Sequence, residues 1–503
     1  MISIDEMATF CKKKGFVFPN SEIYGGMAGF FDLGPLGADM NRNIKDEWWK
    51  RFVTARDDVF GIDGSIITHP KVWKASGHTE SFQDMMITCS KCKHKERADV
   101  FVEEKLKVAA DGMKADEINK LVKENGLKCP KCGSGFKDSN DFNLMFQTNV
   151  GPVESDDSVA YLRPETAQLM FADFKLVAET ARAKLPFGIA QIGKAFRNEI
   201  SPRNFLFRCR EFEQMEIEYF IHPEMISECP YVLDVAEYEF SILSSDMQQK
   251  EEKEKSIKVK DALDQGMIKT PWHAYWLTLC QRFYTDLGAK KENFRIRQHL
   301  PTEKSHYALD TWDLEYRFPF GWKELLGIAN RTDFDLQQHI KHSGKDLSFF
   351  DEATKSKIVP HVVAEPSFGV GRSFLVFMFD SYDDDKDRGN VVLHLHPKIA
   401  PVKVAVCPLV NKLEGAAKSV YDSIKASMPT IYDRSGSIGR RYARADESGV
   451  PYCVTIDFDT DKDQTVTVRD RDSTEQARVK ISDLKDVLQK LVDAEISFSS
   501  LDG

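Results

Sequence analysis

Apolar residues recur every four positions between Gly37 and Val53, where Met40, Ile44, Trp48 and Phe52 fall on one face. This spacing predicts a helix that must bury that face. From Gly188 to Phe220 the period changes to two, and a polar loop containing Pro202 interrupts it, which predicts a hairpin with a long tip. In its second strand Phe212, Gln214, Glu216 and Glu218 share one side while Met215, Ile217 and Tyr219 share the other, so one face should be core and the other wet. On the first strand Gly193, Ala195, Arg197 and Glu199 share a face, and the small residues should leave room for a flat ligand beside an arginine. An amphipathic hairpin with a solvated polar face is the competing reading. The crowding of Arg197, Arg208 and Arg210 on one hairpin favours a polyphosphate partner instead.

A second constellation runs from His361 to Tyr382. A short strand should end with Glu365 and Ser367 on one face, a Gly369 and Gly371 turn should follow, and an apolar helix should begin at Arg372. The helix dipole disfavours a cation in the first turn, so Arg372 calls for an anionic or π partner. Residues 222–295 read as a mainly helical stretch whose charge run, Gln248 to Lys260, suits a solvated helix face. Strands return from His306 to Asp335 and around His361 to Ser367. Past Pro401 strands and helices alternate as in an α/β domain, which sets a boundary near residue 400. No internal repeat is visible.

Composition narrows the function classes. The 503 residues are 42% hydrophobic and 29% charged, with 34 Phe, enough for several cored domains and far from a disordered chain. A formal charge of -10 argues against coating nucleic acid through bulk electrostatics, although a local basic groove stays open. No apolar run reaches the roughly 18 to 20 residues of a membrane helix, and the first residues lack a secretory layout, so no membrane association and a cytoplasmic location are expected. Four of the ten cysteines form two CxxC pairs, Cys89 with Cys92 and Cys129 with Cys132, separated by 36 residues. Two such knuckles predict a tetrahedral zinc site, structural because four thiolates leave no open position. The intervening Val102 to Gly126 is charged and helix-favouring, so this segment should be inserted into a fold whose sheet resumes near Leu144.

The order of helix, FRNE hairpin with Arg208-x-x-x-Phe212, and Gly-x-Gly-Arg before an apolar helix resembles the class II aminoacyl-tRNA synthetases. The stretches YLRPETAQ (Tyr161 to Gln168), HYALDTWDLE (His306 to Glu315), GWKELLGIANRTDFDL (Gly321 to Leu336) and AEPSFGVGR narrow the resemblance to glycyl-tRNA synthetases of the homodimeric kind. The resemblance implies a multidomain α/β and α+β chain. Residues 1–400 would be the catalytic domain on an antiparallel sheet, with a zinc-ribbon-like insertion at 88–143 and a helical insertion at 222–295, and residues 401–503 an α/β anticodon-binding domain.

Site roles follow from the resemblance. Arg197 and Arg372 would be catalytic through charge neutralisation, Arg197 on the α-phosphate and Arg372 with Arg208 on the β and γ phosphates. Glu199 would read the adenine amino group and Phe212 would stack on the ring. Asn198, Phe207, Glu324, Leu325, Gly369 and Gly371 would complete the ATP site, with Glu324 acting through Mg2+. Glu165, Glu216 and Glu365 would ring the glycine ammonium, and Arg97, Gln214 and Ser367 would complete that pocket. The partners implied are glycine, ATP, tRNA(Gly) and a second copy of the chain, docked through the Gly37 to Val53 helix and its neighbours. In the C-terminal part, four arginines between Arg434 and Arg444 together with Tyr442 suit RNA bases and phosphates, a solvated loop and helix start being the alternative. A threonyl, prolyl or histidyl enzyme, or a noncatalytic synthetase-like nucleic-acid-binding subunit, are the rival functions. The last would lack Arg197, Glu199, Arg208, Phe212 and Arg372, which this chain has.

Overall fold

The computed structural model describes residues 2–108, 110, 113–155, 158–303, 308–352 and 354–502. Helix α1 (Pro35–Trp49) starts on Pro35, whose fixed φ suits the first helical position, and widens into a π turn over Lys50–Thr54. Met40, Ile44, Trp48 and Phe52 are fully buried, as their spacing requires. They are buried within this chain, however. Phe52 lies against Trp276, Phe283 and Phe368 at ring separations of 6.3, 6.0 and 5.6 Å. This apolar face therefore cannot be the contact with a second copy.

The largest sheet has nine strands: β1 (Val59–Ile62), β2 (Phe187–Phe196), β3 (Glu211–Ile221), β4 (Glu239–Leu243), β5 (Lys255–Lys258), β6 (Phe294–Gln298), β7 (Asp310–Phe318), β8 (Gly321–Asn330) and β9 (His361–Gly369). Their spatial order is β5-β4-β6-β7-β8-β9-β3-β2-β1. Pairing is antiparallel except for β1 with β2 and β4 with β6. The expected hairpin is β2 and β3, joined by the long tip Arg197 to Arg210. Its register sets Gly193 opposite Gln214 and Ala195 opposite Phe212.

Residues 222–295 hold more helix than strand, as read, but they are not separate from the main sheet. They supply β4, β5 and the start of β6, three strands of the main sheet, and α2 (Pro271–Thr285), whose Trp272, Trp276, Leu277 and Phe283 are buried in the common core. The charge run ends in β5, an edge strand of sequence KSIK in which Lys258 pairs with Glu237. Lysines on an edge discourage pairing with another chain, which is why the run is charged without being a helix face. The main sheet resumes at β2 rather than near Leu144, because Asn140–Asn143 and Phe146–Asn149 belong to two separate three-stranded sheets.

Two helices close the site. Helix α3 (Phe334–Ser343) follows β8, and α4 (Val370–Ser381) follows β9 without a turn. Gly369 caps α4 with φ of -84°, so the predicted glycine turn is absent and neither glycine serves to supply a positive φ. Gly371 is needed for closeness instead: a Cβ there would lie 3.0 Å from the Leu206 carbonyl oxygen in the hairpin tip.

A second body holds β10 (Val404–Pro408), α5 (Glu414–Ile424), β11 (Thr430–Tyr432), α6 (Ile438–Glu447), β12 (Tyr452–Ile456), β13 (Thr465–Asp470), β14 (Gln476–Lys480) and α7 (Leu484–Val492). Its sheet runs β11-β10-β12-β13-β14 around its own apolar cluster. Charged contacts dock it on the first body: Lys14 with Glu447, Arg388 with Asp446 and His394 with Asp472. Lys403 at the junction is buried and donates to the carbonyls of Pro397, Lys398 and Ala400.

Candidate active site

One cleft of about 290 Å³ opens on the face of the main sheet between the hairpin tip, β7, β8, β9 and the start of α4. It is lined by Arg197, Glu199, Phe207, Arg208, Phe212, Gln214, Glu324, Glu365, Ser367, Gly369, Gly371 and Arg372, so residues far apart in the chain and singled out by sequence converge on it. The Arg197 guanidinium lies 5.3 Å from the Phe212 ring centre and 5.5 Å from that of Phe82, and its Nε donates to the Pro164 carbonyl at 3.0 Å. Stacked and tied in this way, it is held in place before any ligand arrives. Arg372 finds both partner types expected of a cation in a first helical turn: Glu324 at 3.2 Å and the Phe207 ring at 4.7 Å. Arg208 lies 3.8 Å from the Glu199 carboxylate.

Some predicted residues do not line this cleft, among them Glu165 and Glu216, which lie behind its wall. Leu325 is fully buried in the apolar core; the β7–β8 register shifts beside it, between Leu314 and Glu315, so a β-bulge separates it from Glu324. The Asn198 side chain is also absent from the lining, its backbone N–H donating to the Leu144 carbonyl at 2.8 Å. Arg97 lines a smaller adjoining cavity with Glu199 and Arg208, and it pairs with Asp99 at 2.7 Å and Asp84 at 3.4 Å. Of the HYALDTWDLE stretch, His306 and Tyr307 lie outside the described residues.

At the other end of the cleft the sheet carries a concentration of acid. Glu216, 2% exposed, accepts from the Thr166 hydroxyl, and Gln214 donates to Ser367 at 3.0 Å across the β3–β9 pair. Glu165 lies 3.4 Å from His78. Arg331, between β8 and α3, is 4% exposed; it reaches both Glu365 oxygens at 2.9 and 3.0 Å and grips Asp335 at 2.7 and 2.9 Å. The polar face of β3 is therefore buried, not wet as its alternation suggested, because the loop at 165–168 and α3 cover it.

These neighbours set the charges. Burial pushes Glu216 upward and nearby Glu165 adds to the effect, while burial, against the pull of Arg331, pushes Glu365 up to about 8. Burial also acts on Glu165, but His78, Arg331 and Arg197 overcome it and hold that carboxyl well below the usual range. The room expected beside Gly193 is taken up by Arg163: a Cβ on Gly193 would stand 2.1 Å from Arg163 Nη2. Arg163 in turn donates to the carbonyls of Lys194 at 2.6 Å and Gly64 at 2.7 Å, bracing the hairpin from beneath.

Arg331, Arg163, Thr166 and the pair His299 and Asp313, 2.9 Å apart in the cleft wall, were not picked out by sequence reasoning. Arg331 and Arg163 both sit inside stretches that sequence reasoning did single out, but nothing local marks either arginine.

The cysteine pairs also converge. Cys89 and Cys132 sulfurs are 3.5 Å apart and those of Cys92 and Cys129 are 3.6 Å apart, and all four lie within 4.8 Å of one another. A tetrahedron with Zn–S bonds of about 2.3 Å requires sulfurs about 3.8 Å apart, so the set fits zinc and is far too open for disulfides. The module around it has its own small core of Ile87, Phe101, Val102, Ile118 and Val122.

In the C-terminal body the arginine cluster is mostly structural. Arg434 pairs with Glu414 at 2.6 Å, Arg444 with Asp433 at 2.6 Å, and Arg441 is buried and donates to the Pro408 carbonyl. Tyr442 bonds Thr455 and lies under Arg469, 4.8 Å from ring centre to guanidinium, which removes it as a stacking platform.

Comparison with known proteins fits this arrangement. Residues 152–382 match the family model of the tRNA synthetase class II core domain (G, H, P, S and T), and residues 403–491 match that of the anticodon binding domain. The chain is 45% identical to a glycine–tRNA ligase of Caldanaerobacter subterraneus over 97% of its length and 98% of the relative's. It is 44% identical to that of Clostridium acetobutylicum, over 97% and 99%. With the ligase of Geobacillus thermodenitrificans it shares 43% identity, over 97% and 98%.

Arg331→Met tests the electrostatic account of the acidic end. Removing the one guanidinium between Asp335 and Glu365 leaves buried carboxylates without their partner, so unfolding by urea should show a loss of about 3 to 5 kcal/mol. A variant as stable as the parent would mean that the carboxyl groups do not depend on it.

Proposed function

The chain belongs to the glycine–tRNA ligase family of class II synthetases and ligates glycine to tRNA, and from that premise we propose how its residues divide the work. ATP lies across the cleft with adenine between Phe212 and Glu199 and its phosphates toward Arg197, Arg208 and Arg372. Glycine lies at the acidic end, its ammonium among Glu165, Glu216 and Glu365, beside Gln214 and Ser367. The observation that carries this reading is the convergence of Arg197, Arg208 and Arg372 on one cleft with Gln214, Glu365 and Ser367, and the position of buried Glu216 within 4.8 Å of Glu365.

Little acid or base chemistry is required. The glycine carboxylate attacks the α-phosphorus, pyrophosphate departs, and the terminal ribose hydroxyl of tRNA then attacks the activated carbonyl. Arg197 is fixed where negative charge grows on the α-phosphate, and Arg208 and Arg372 receive the charge that leaves with pyrophosphate. Glu324, half-exposed in the cleft beside Arg372, is a hard oxygen donor suited to Mg2+, which when bound would offset phosphate charge. Cys89, Cys92, Cys129 and Cys132 would hold a structural Zn2+.

Glycine presents no side chain, so selection must come from gripping the ammonium and closing the space beside the α-carbon. An extra methylene in an apolar pocket is worth only about 1 to 3 kcal/mol, whereas a methyl that separates buried carboxylates from their cation also leaves charge unpaired.

Residues 1–400 act as the catalytic unit and residues 401–503 as the anticodon-binding unit, with tRNA(Gly) spanning both. Arg440 is the one cluster arginine in an exposed position with no salt bridge among the described residues, so RNA contact there rests on it and on other surfaces. The protein works as a cytoplasmic homodimer; no helix among the described residues is long and apolar enough to cross a membrane. With the apolar face of α1 committed inside the protomer, the exposed Ile23, Tyr24 and Met27 are better candidates for apolar contact with a second copy.

Two measurements test these roles. Glu216→Gln keeps shape and removes charge, so in ATP–pyrophosphate exchange the KM for glycine should rise at least about tenfold while that for ATP changes little. An unchanged glycine KM would place Glu216 outside the pocket. Protein produced with zinc available should carry one zinc per chain by metal analysis, and Cys129→Ser should lose it and loosen the inserted module. Metal-free protein of full stability would remove the zinc assignment.

A further inference from the structure

Glu218 has no role in the reading above, yet it is the most conspicuous polar group in the core. It lies two residues beyond Glu216 on β3, on the same face, and is fully buried. Neither of its carboxyl oxygens has a hydrogen-bond partner. Carboxyl oxygens of Glu216, Glu218 and Glu365 nonetheless lie within 4.8 Å of one another. Three oxygens at the full 4.8 Å spacing would leave a central point about 2.8 Å from each, the length of an N–H···O contact.

An unpartnered buried carboxylate beside two others is untenable as a charged group. The charged groups facing Glu218 are Glu216 on its own strand, Glu365 on β9, Arg331 at the end of β8 and Asp335 on α3. Arg331 is already divided between Glu365 and Asp335. With Arg331 shared between two of the four acids and Arg163 acting on Glu216, Glu218 is left without a cation of its own, and the available one is a proton.

We propose that Glu218 is a positioning residue that stores a proton beneath the glycine pocket, and that arrival of the glycine ammonium above Glu216 and Glu365 displaces this proton to solvent. The balance is simple: one cation enters with the substrate and one leaves as H+, with no bond to carbon or phosphorus changed. Burial, reinforced by Glu365, pushes the Glu218 carboxyl well above its ordinary range. The device would keep the unliganded acidic pocket from carrying uncompensated charge, and it would make the floor of the pocket respond to an ammonium rather than to a neutral group.

This inference rests on the assignment of Glu216 and Glu365 to glycine. Its test is the pH dependence of the glycine KM in ATP–pyrophosphate exchange between about pH 6 and 8.5, where glycine remains an ammonium. The proton-bound pocket binds glycine less well, so the KM should fall as pH rises, by up to about tenfold per unit below the pKa of the store. Glu218→Gln imitates the protonated carboxyl and cannot release a proton. Its glycine KM should match the parent near pH 6, fall less steeply than the parent's with rising pH because only Glu216 and Glu365 still titrate, and exceed the parent's by at least about tenfold at pH 8.5, with the ATP KM unchanged. A flat profile in the parent, or parallel profiles in parent and variant, would overturn the proposal, and the parent profile is decisive even if the variant does not fold. Failure of the pocket assignment is distinguishable, since Glu216→Gln would then leave the glycine KM unaltered at every pH.

Discussion

The constraint on which the site depends is the burial of several carboxyl groups around one guanidinium. Arg331 joins Asp335 on α3 to Glu365 on β9, fixing the helix that covers the sheet to the strand that presents the pocket. Gln168, bonded to both Asp335 and His339, ties the loop carrying Glu165 and Thr166 into the same network. Thr166 then reaches Glu216 on β3. Charge held in this way costs stability relative to an apolar core of the same volume, and its retention is explained by what the pocket must hold. After Arg331 is counted the region stays electron-rich, closed and short of a cation.

The opposite end of the cleft solves the converse problem. Arg208 and Arg372 stand close enough to repel each other, and Arg197, Arg208 and Arg372 are each anchored separately, by aromatic faces, by a backbone carbonyl or by a carboxylate. Gly371 allows the start of α4 to approach the hairpin tip at Leu206, which brings Arg372 and Arg208 to a common space. On the proposed assignment, a substrate pair with an ammonium at one extreme and a triphosphate at the other is aligned by charge along the sheet, and rate comes mainly from that alignment.

How much of this was legible depended on whether a signal was local. Alternation with period two fixed which residues of β3 share a face, and a period near four fixed the buried face of α1, because both follow from backbone geometry alone. The glycine and arginine signatures gathered most of the ATP residues into one cleft. What covers a face is decided by remote chain segments, so the burial of Glu216 and Glu218 beneath α3 and the 165–168 loop had no local trace. The same holds for Arg331, whose partners lie 4 and 34 positions away, and for Arg163 filling the space beside Gly193. Residues 222–295 misled because β4 and β5 are short and β5 is a lysine-rich edge strand whose composition resembles an exposed helix. The arginines from 434 to 444 misled because Glu414 and Asp433, which claim two of them, lie outside the cluster.

The account's central claim is that a closed acidic pocket selects the smallest amino acid by its ammonium. ATP–pyrophosphate exchange driven in turn by glycine, alanine and serine tests this most directly. Glycine should support exchange with a kcat/KM at least about a hundredfold above alanine, and serine should be no better than alanine. Comparable exchange with alanine would contradict the account, because the space beside the α-carbon would then be open and the carboxyl groups would not be defining its limit.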